Sequence, residues 1–222
     1  MKTPLAILAI VAIVLAAFML FAPEPGPDAL KARTDLPWQI TVHEDGSSRV
    51  FDLALGSATL ADAMQKFGGL EALALFEPAS GKPSLEAYFG NVQFGPLQAK
   101  VVTKLEASDE ELQAILARSE KREGSPSGDW KHPLPDAPKD HMQRRITAIT
   151  YVPGTRGLDK DFFRSRFGEP SAWIKESDEA VSWFYPDKGL SILIDDNSRE
   201  ILEYQPPRDF VMPDGVSHTA AE

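Results

Sequence analysis

The run from Pro4 to Ala22 (PLAILAIVAIVLAAFMLFA) constrains this chain most: nineteen residues without a charged or strongly polar side chain. As a helix rising about 1.5 Å per residue it measures roughly 28 Å, close to the hydrocarbon thickness of a bilayer. A helix in the core of a water-soluble domain carries a polar stripe, and this run has none. A cleaved secretory signal is the alternative, with an apolar region of about 7–15 residues ending at a small-x-small site. Here the run is longer, Leu20 stands two before Ala22, and Pro23 follows it. The pattern therefore predicts an uncleaved transmembrane helix, with residues 1–35 as anchor and spacer. PEPGP (23–27) is stiff enough to hold the rest of the chain off the lipid surface. Lys2 and the α-amino group favour a cytoplasmic N-terminus, while Lys31 and Arg33 pull weakly the other way. The expected location is a bacterial inner membrane, single-pass, with the body in the periplasm.

Charge narrows the partners. In residues 1–35 the bases Lys2, Lys31 and Arg33 balance the acids Glu24, Asp28 and Asp35, so the whole net charge of −10 lies on residues 36–222. Affinity for nucleic acid and anionic lipid rests on Lys and Arg neutralising phosphates, so such a body is no nucleic-acid binder. The chain has no cysteine, which excludes disulfides, thiol nucleophiles, Cys-based zinc sites and the lipidated Cys of a lipoprotein.

The body reads as strands interrupted by short helices. Residues 38–43 and 49–55 alternate around a turn rich in Asp, Gly and Ser and predict a hairpin. Thr59 caps a short helix ending at Phe67-Gly68, strands follow at 72–76, 85–89 and 97–105, and Ser108 with Glu111 opens a helix over 109–122. Residues 123–140 hold four prolines and read as a linker loop. Regular structure resumes at 145–152, then a helix capped by Asp159 and ending at Phe167-Gly168, then strands at 172–175, 180–185, 190–194 and 200–204. The expected organisation is a first α+β half at 36–122, the linker at 123–140, a second half at 141–206 and a loose tail at 207–222.

Two stretches match. Thr59 to Gly68 can be laid on Asp159 to Gly168: a capping residue opens each helix, an apolar residue stands at 63 and 163, and Phe-Gly closes both. The match predicts an internal duplication of a strand–helix–three-strand unit. The fold class expected from it is α+β: two similar halves, each a short helix packed on an antiparallel sheet, preceded by one N-terminal transmembrane helix.

These short units, a strand running into Gly56-Ser57-Ala58-Thr59 or Gly157-Leu158-Asp159 and a helix ending Phe-Gly before a β-meander, resemble the SmpA/OmlA-type outer-membrane lipoproteins and the related β-lactamase inhibitor protein fold. The resemblance covers residues 50–105 and 146–205. It implies an envelope location and protein–protein contact rather than chemistry. The lipidated Cys of that family is missing, so its partners are not carried over.

Reactive groups are not arranged for chemistry. His43, His132, His141 and His218 lack metal-ligand spacing, Asp195-Asp196-Asn197 reads as a turn, and no Gly-x-Ser-x-Gly elbow or Gly-rich phosphate loop is present. No catalytic, cofactor or metal residue is assigned, and no cofactor is expected. The aromatics are the candidates for partner contact: Trp130 in the Pro-rich segment, and Trp183 with Tyr185, which strand alternation places on one face opposite Phe184. The expected function is a non-catalytic, membrane-anchored interaction module or accessory subunit meeting another envelope protein. A small-ligand binder or hydrolase acting on envelope material is the alternative.

Overall fold

The computed structural model describes residues 34–79, 81–119, 121–124, 129–134, 138–196 and 200–218. Thr34–Glu222 form one compact unit. The anchor expected at 4–22 and the spacer at 23–27 lie outside the described residues. Among the described residues no helix is long and apolar enough to cross a membrane.

Strands β1 (Thr41–Val42), β2 (Ser48–Val50) and β3 (Leu53–Ala54) form a small antiparallel sheet. The run 49–55, expected as one strand, breaks at Phe51 and Asp52, whose φ angles are +53° and +63°. Left-handed backbone is costly for a Phe, and two observations offset it. The Phe51 ring is fully buried. The Asp52 carboxylate accepts from Thr34 Oγ1 at 2.8 Å and from Lys66 Nζ at 2.7 Å.

Helix α1 (Leu60–Phe67) is opened by a reciprocal cap: the Thr59 side chain accepts from the Asp62 N–H, and the Asp62 carboxylate accepts from the Thr59 N–H. Its next free N–H groups, Leu60 and Ala61, donate to the carbonyls of Arg144 and Met142. A residue pair far along the chain thus completes the helix start. Then come β4 (Ala72–Glu77), β5 (Ser84–Phe94) and β6 (Leu97–Leu105), a meander. Helix α2 (Asp109–Arg118) carries the Ser108–Glu111 box read from the sequence.

The Pro-rich segment is not a plain loop. It contains β7 (Glu123–Gly124), β8 (Trp130–Pro133) and the single turn α3 (Pro138–His141). Four residues ending on a proline are too few to display alternation, yet β8 completes the β4 ladder from Ala74↔Pro133 to Glu77↔Trp130. The rest is β9 (Ile146–Pro153), α4 (Lys160–Phe167), β10 (Ala172–Lys175), β11 (Ala180–Tyr185), β12 (Leu190–Asp195), β13 (Ile201–Tyr204) and β14 (Ser217–His218). The tail expected to be loose returns as β14, paired to β10.

The expected α+β fold of two similar halves, each a short helix packed on an antiparallel sheet, is corrected by this topology. The molecule is mostly β, with one eleven-stranded antiparallel sheet ordered β14-β10-β11-β12-β13-β9-β6-β5-β4-β8-β7 beside the three-stranded one. The join is β6 with β9, paired from Ala99↔Pro153 to Leu105↔Ile146. Two separate sheets would each leave an unpaired edge at this point, and pairing them removes both. The helices are too short to form a layer for each half. They cover parts of one continuous sheet instead.

One face of that sheet is the core. Cross-strand partners run in a row from Val101 to Tyr151, Leu202, Ile192, Trp183 and Trp173. All but the last are buried, and Phe163 and Phe167 of α4 and Leu60, Ala63 and Phe67 of α1 belong to the same buried cluster. Alternation explains the single face, since every second side chain of a strand points the same way.

Candidate binding groove

The groove arises where the covering helix runs out. α4 buries Phe163 and Phe167 and turns Lys160 and Arg164, four residues apart, towards the sheet's margin. A helix is about 10–12 Å across while strands lie about 4.8 Å apart, so it shields few strands. Trp183 on β11 falls under cover and is 4% exposed, whereas its neighbour Trp173 on β10 is 37% exposed. Between helix and strand lies a hollow of about 400 Å³ lined by both tryptophans, Val181, Pro170 and charged groups from α4 and the β10–β11 turn.

Those charges are partly committed. Arg164 Nε donates to Glu169 and its Nη1 to Asp161 at 3.0 Å. Lys175 meets Asp178 at 2.6 Å. Lys160, Glu179 and Asp196 complete the ionic lining, which carries four carboxylates against three cations. A smaller hollow of about 280 Å³ adjoins it, with Asp159 and Asp161 on its wall.

The tryptophans differ in one respect. Arg166 lies 4.5 Å from the Trp38 ring centroid, Arg122 4.2 Å from Trp130 and Arg164 5.1 Å from Trp183. Each is a cation over an aromatic face. Among the described residues no guanidinium is placed over Trp173.

Of the contact candidates read from the sequence, Trp183 lines the groove from beneath. Tyr185 is a core residue whose hydroxyl donates to the Gly168 carbonyl at 3.0 Å, and burial pushes its phenol up from the ordinary value. Trp130 is not on a loop. It stands on β8 near the opposite edge of the sheet, 37% exposed, with Arg122 on its ring. The structure does not bring Trp130 together with Trp183 and Tyr185. Phe184, on the other sheet face, is buried as well.

Trp173 was legible but not singled out. In a hairpin, residues equidistant from the turn's centre pair, and centring on Asp178 places Trp173 opposite Trp183. The contributions of Lys160 and Arg164 from the helix and of Asp196 from beyond β12 had no local signal.

Two of the four histidines do structural work. His132 is buried, its Nδ1 2.9 Å from Ser119 Oγ and its Nε2 3.0 Å from Glu77. His141 accepts at Nδ1 from Arg144 Nε at 2.8 Å, and burial, with Arg144 adding to it, pushes its pKa down. Comparison with known proteins gives no matching family model, no matching curated protein and no matching solved structure.

Proposed function

We infer that this chain is a non-catalytic interaction protein of the bacterial envelope, an accessory subunit that binds another protein through the groove beside α4. The carrying observation is the Trp173–Trp183 pair. One indole is fixed in the core, and the other is held beside it by the ladder and left open to solvent. A large, pre-oriented aromatic surface at the rim of a hollow lined by charged groups is the kind of anchor on which protein contacts concentrate their energy.

The uncharged run 4–22 supports attachment to a membrane, and Lys2 before it supports a periplasmic body. The resemblance to SmpA/OmlA-type lipoproteins points to the same compartment.

The experiment is crosslinking and pull-down of the full chain from intact membranes, compared with a chain lacking residues 2–22 and with Trp173→Ala. A specific partner lost on Trp173→Ala and retained on Trp130→Ala is the expected result. A partner equally retained by both variants would remove the groove from the account, and none at all would remove the interaction role.

A further inference from the structure

We propose that the groove receives an arginine or lysine side chain from an extended basic segment of the partner protein, its cationic head resting on the Trp173 indole between the carboxylates of the lining. This deepens the interaction reading above and rests on it.

Three tryptophans in this molecule are each faced by a guanidinium supplied by the chain itself. The fourth, Trp173, is as exposed as Trp130 but has no such cation over its ring among the described residues. The indole face is the strongest of the side-chain π surfaces for a cation. What fills that position at the other three is therefore the chemistry that fits this one.

The surroundings favour the same sign. Four carboxylates, Glu169, Asp178, Glu179 and Asp196, face three cations in the lining, and Asp159 and Asp161 stand in the adjoining hollow. Arg164 is held by Glu169 and Asp161, and Lys175 by Asp178, so these groups largely offset one another, and the sign of the site rests on the excess of six carboxylates over three cations across the two hollows. Lys160 is the cation an incoming base must avoid. At long range the body's charge of −10 attracts a basic partner and repels an acidic one. An anionic or sugar ligand would use the Trp173 face without using this field. The hollow, about 400 Å³, holds one long side chain and its flanking backbone rather than a folded element.

The test uses the full chain in detergent micelles, labelled with ¹⁵N, and a blocked peptide of alternating alanine and arginine. Four indole N–H signals are expected, one for each tryptophan, and Trp173→Phe identifies that of Trp173. Titration moves the Trp173 signal and leaves the Trp38 and Trp130 signals in place. The citrulline version of the peptide, the same shape without charge, leaves all four unmoved. Trp173→Leu weakens the arginine peptide about three- to thirtyfold, the range spanned by exposed to desolvated cation–π contacts. Asp196→Asn weakens it less, and raised salt weakens it for every variant. Equal binding of the citrulline peptide overturns the proposal, as does an unmoved Trp173 signal or a shift at Trp130 alone. If those failures occur while crosslinking still finds a partner lost on Trp173→Ala, the cationic side chain is wrong and the interaction role stands.

Discussion

The Phe51 ring stacks on Tyr151, centroids 5.5 Å apart and planes within 17°, and by that contact the small N-terminal sheet is fastened to the strand that joins the two parts of the large one. Phe51 also meets Phe67 of α1, Phe94 of β5 and Tyr204 of β13. A single side chain thus touches elements read from the sequence as belonging to different halves. Phe51→Ala is expected to cost about 3–5 kcal/mol, the usual range for emptying an aromatic core position. Phe51→Leu should cost less. Urea unfolding in one cooperative transition for both variants is the check. Separate loss of one part would contradict the shared core.

Tyr204 makes the complementary prediction. Its buried hydroxyl donates to the Pro37 carbonyl at 2.9 Å, and burial raises the phenol well above its ordinary range, so it stays a neutral donor. Tyr204→Phe keeps the ring and strands that carbonyl, at a cost of about 1–3 kcal/mol. Hydrogen exchange should show residues 36–40 opening before the rest.

Acid sensitivity should come from carboxylates outside the groove. Glu111 is held at about 2, against an ordinary 4.5, by the bond from Arg144 and then by the Ser108 N–H. Asp52 is lowered by the bond from Lys66, against burial and with help from Thr34. Glu106 is lowered by Arg145. For Lys66, burial pulls downward, but the bonds to Asp52 and Asp35 outweigh it and leave its pKa raised. A carboxylate with a depressed folded pKa contributes stability that is complete above its unfolded value and is lost as pH falls through the folded one. Chemical-denaturation midpoints should therefore be flat from pH 7 to about 5, then decline towards pH 2, through which range Glu111 protonates. Glu111→Gln should shallow that decline below pH 4.5. An unchanged slope would show that the Arg144 pair contributes nothing.

The two groove tryptophans should separate in their effects. Trp183 is core, and Trp183→Ala is expected to cost about 3–5 kcal/mol. Trp173 is at the margin, and Trp173→Ala should change stability by about 1 kcal/mol or less. Thermal melting of both variants decides this, and a large loss for Trp173→Ala would return that residue to a purely structural role.

Much of the local structure was legible. Thr59, Ser108 and Asp159 cap the helices where the sequence placed them, and the strands over 97–105, 172–175 and 180–185 match their expected limits. Caps and alternation act within a few residues, so they survive in a sequence without its tertiary context. The pairing of β6 with β9 was not legible, because nothing local states which edge a strand will seek. The break at Phe51 was hidden for a related reason: alternation continues through it, and the left-handed backbone is held by distant partners, aromatic rings for Phe51 and Thr34 with Lys66 for Asp52. The groove was half visible. Trp183 was singled out, but its exposed neighbour Trp173 and the charges from α4 needed the hairpin register and the helix position together.

The most direct test of the central claim is a photoreactive amino acid placed at position 180, an alanine on the groove lining that leaves Trp173 intact, in the full chain in living cells, with position 130 as the comparison. The expected result is a discrete protein adduct from position 180, mapped to an Arg- or Lys-rich segment of the partner and suppressed by the arginine peptide in isolated membranes. Adducts from position 130 with none from position 180, or adducts at 180 that the peptide leaves untouched, would contradict it.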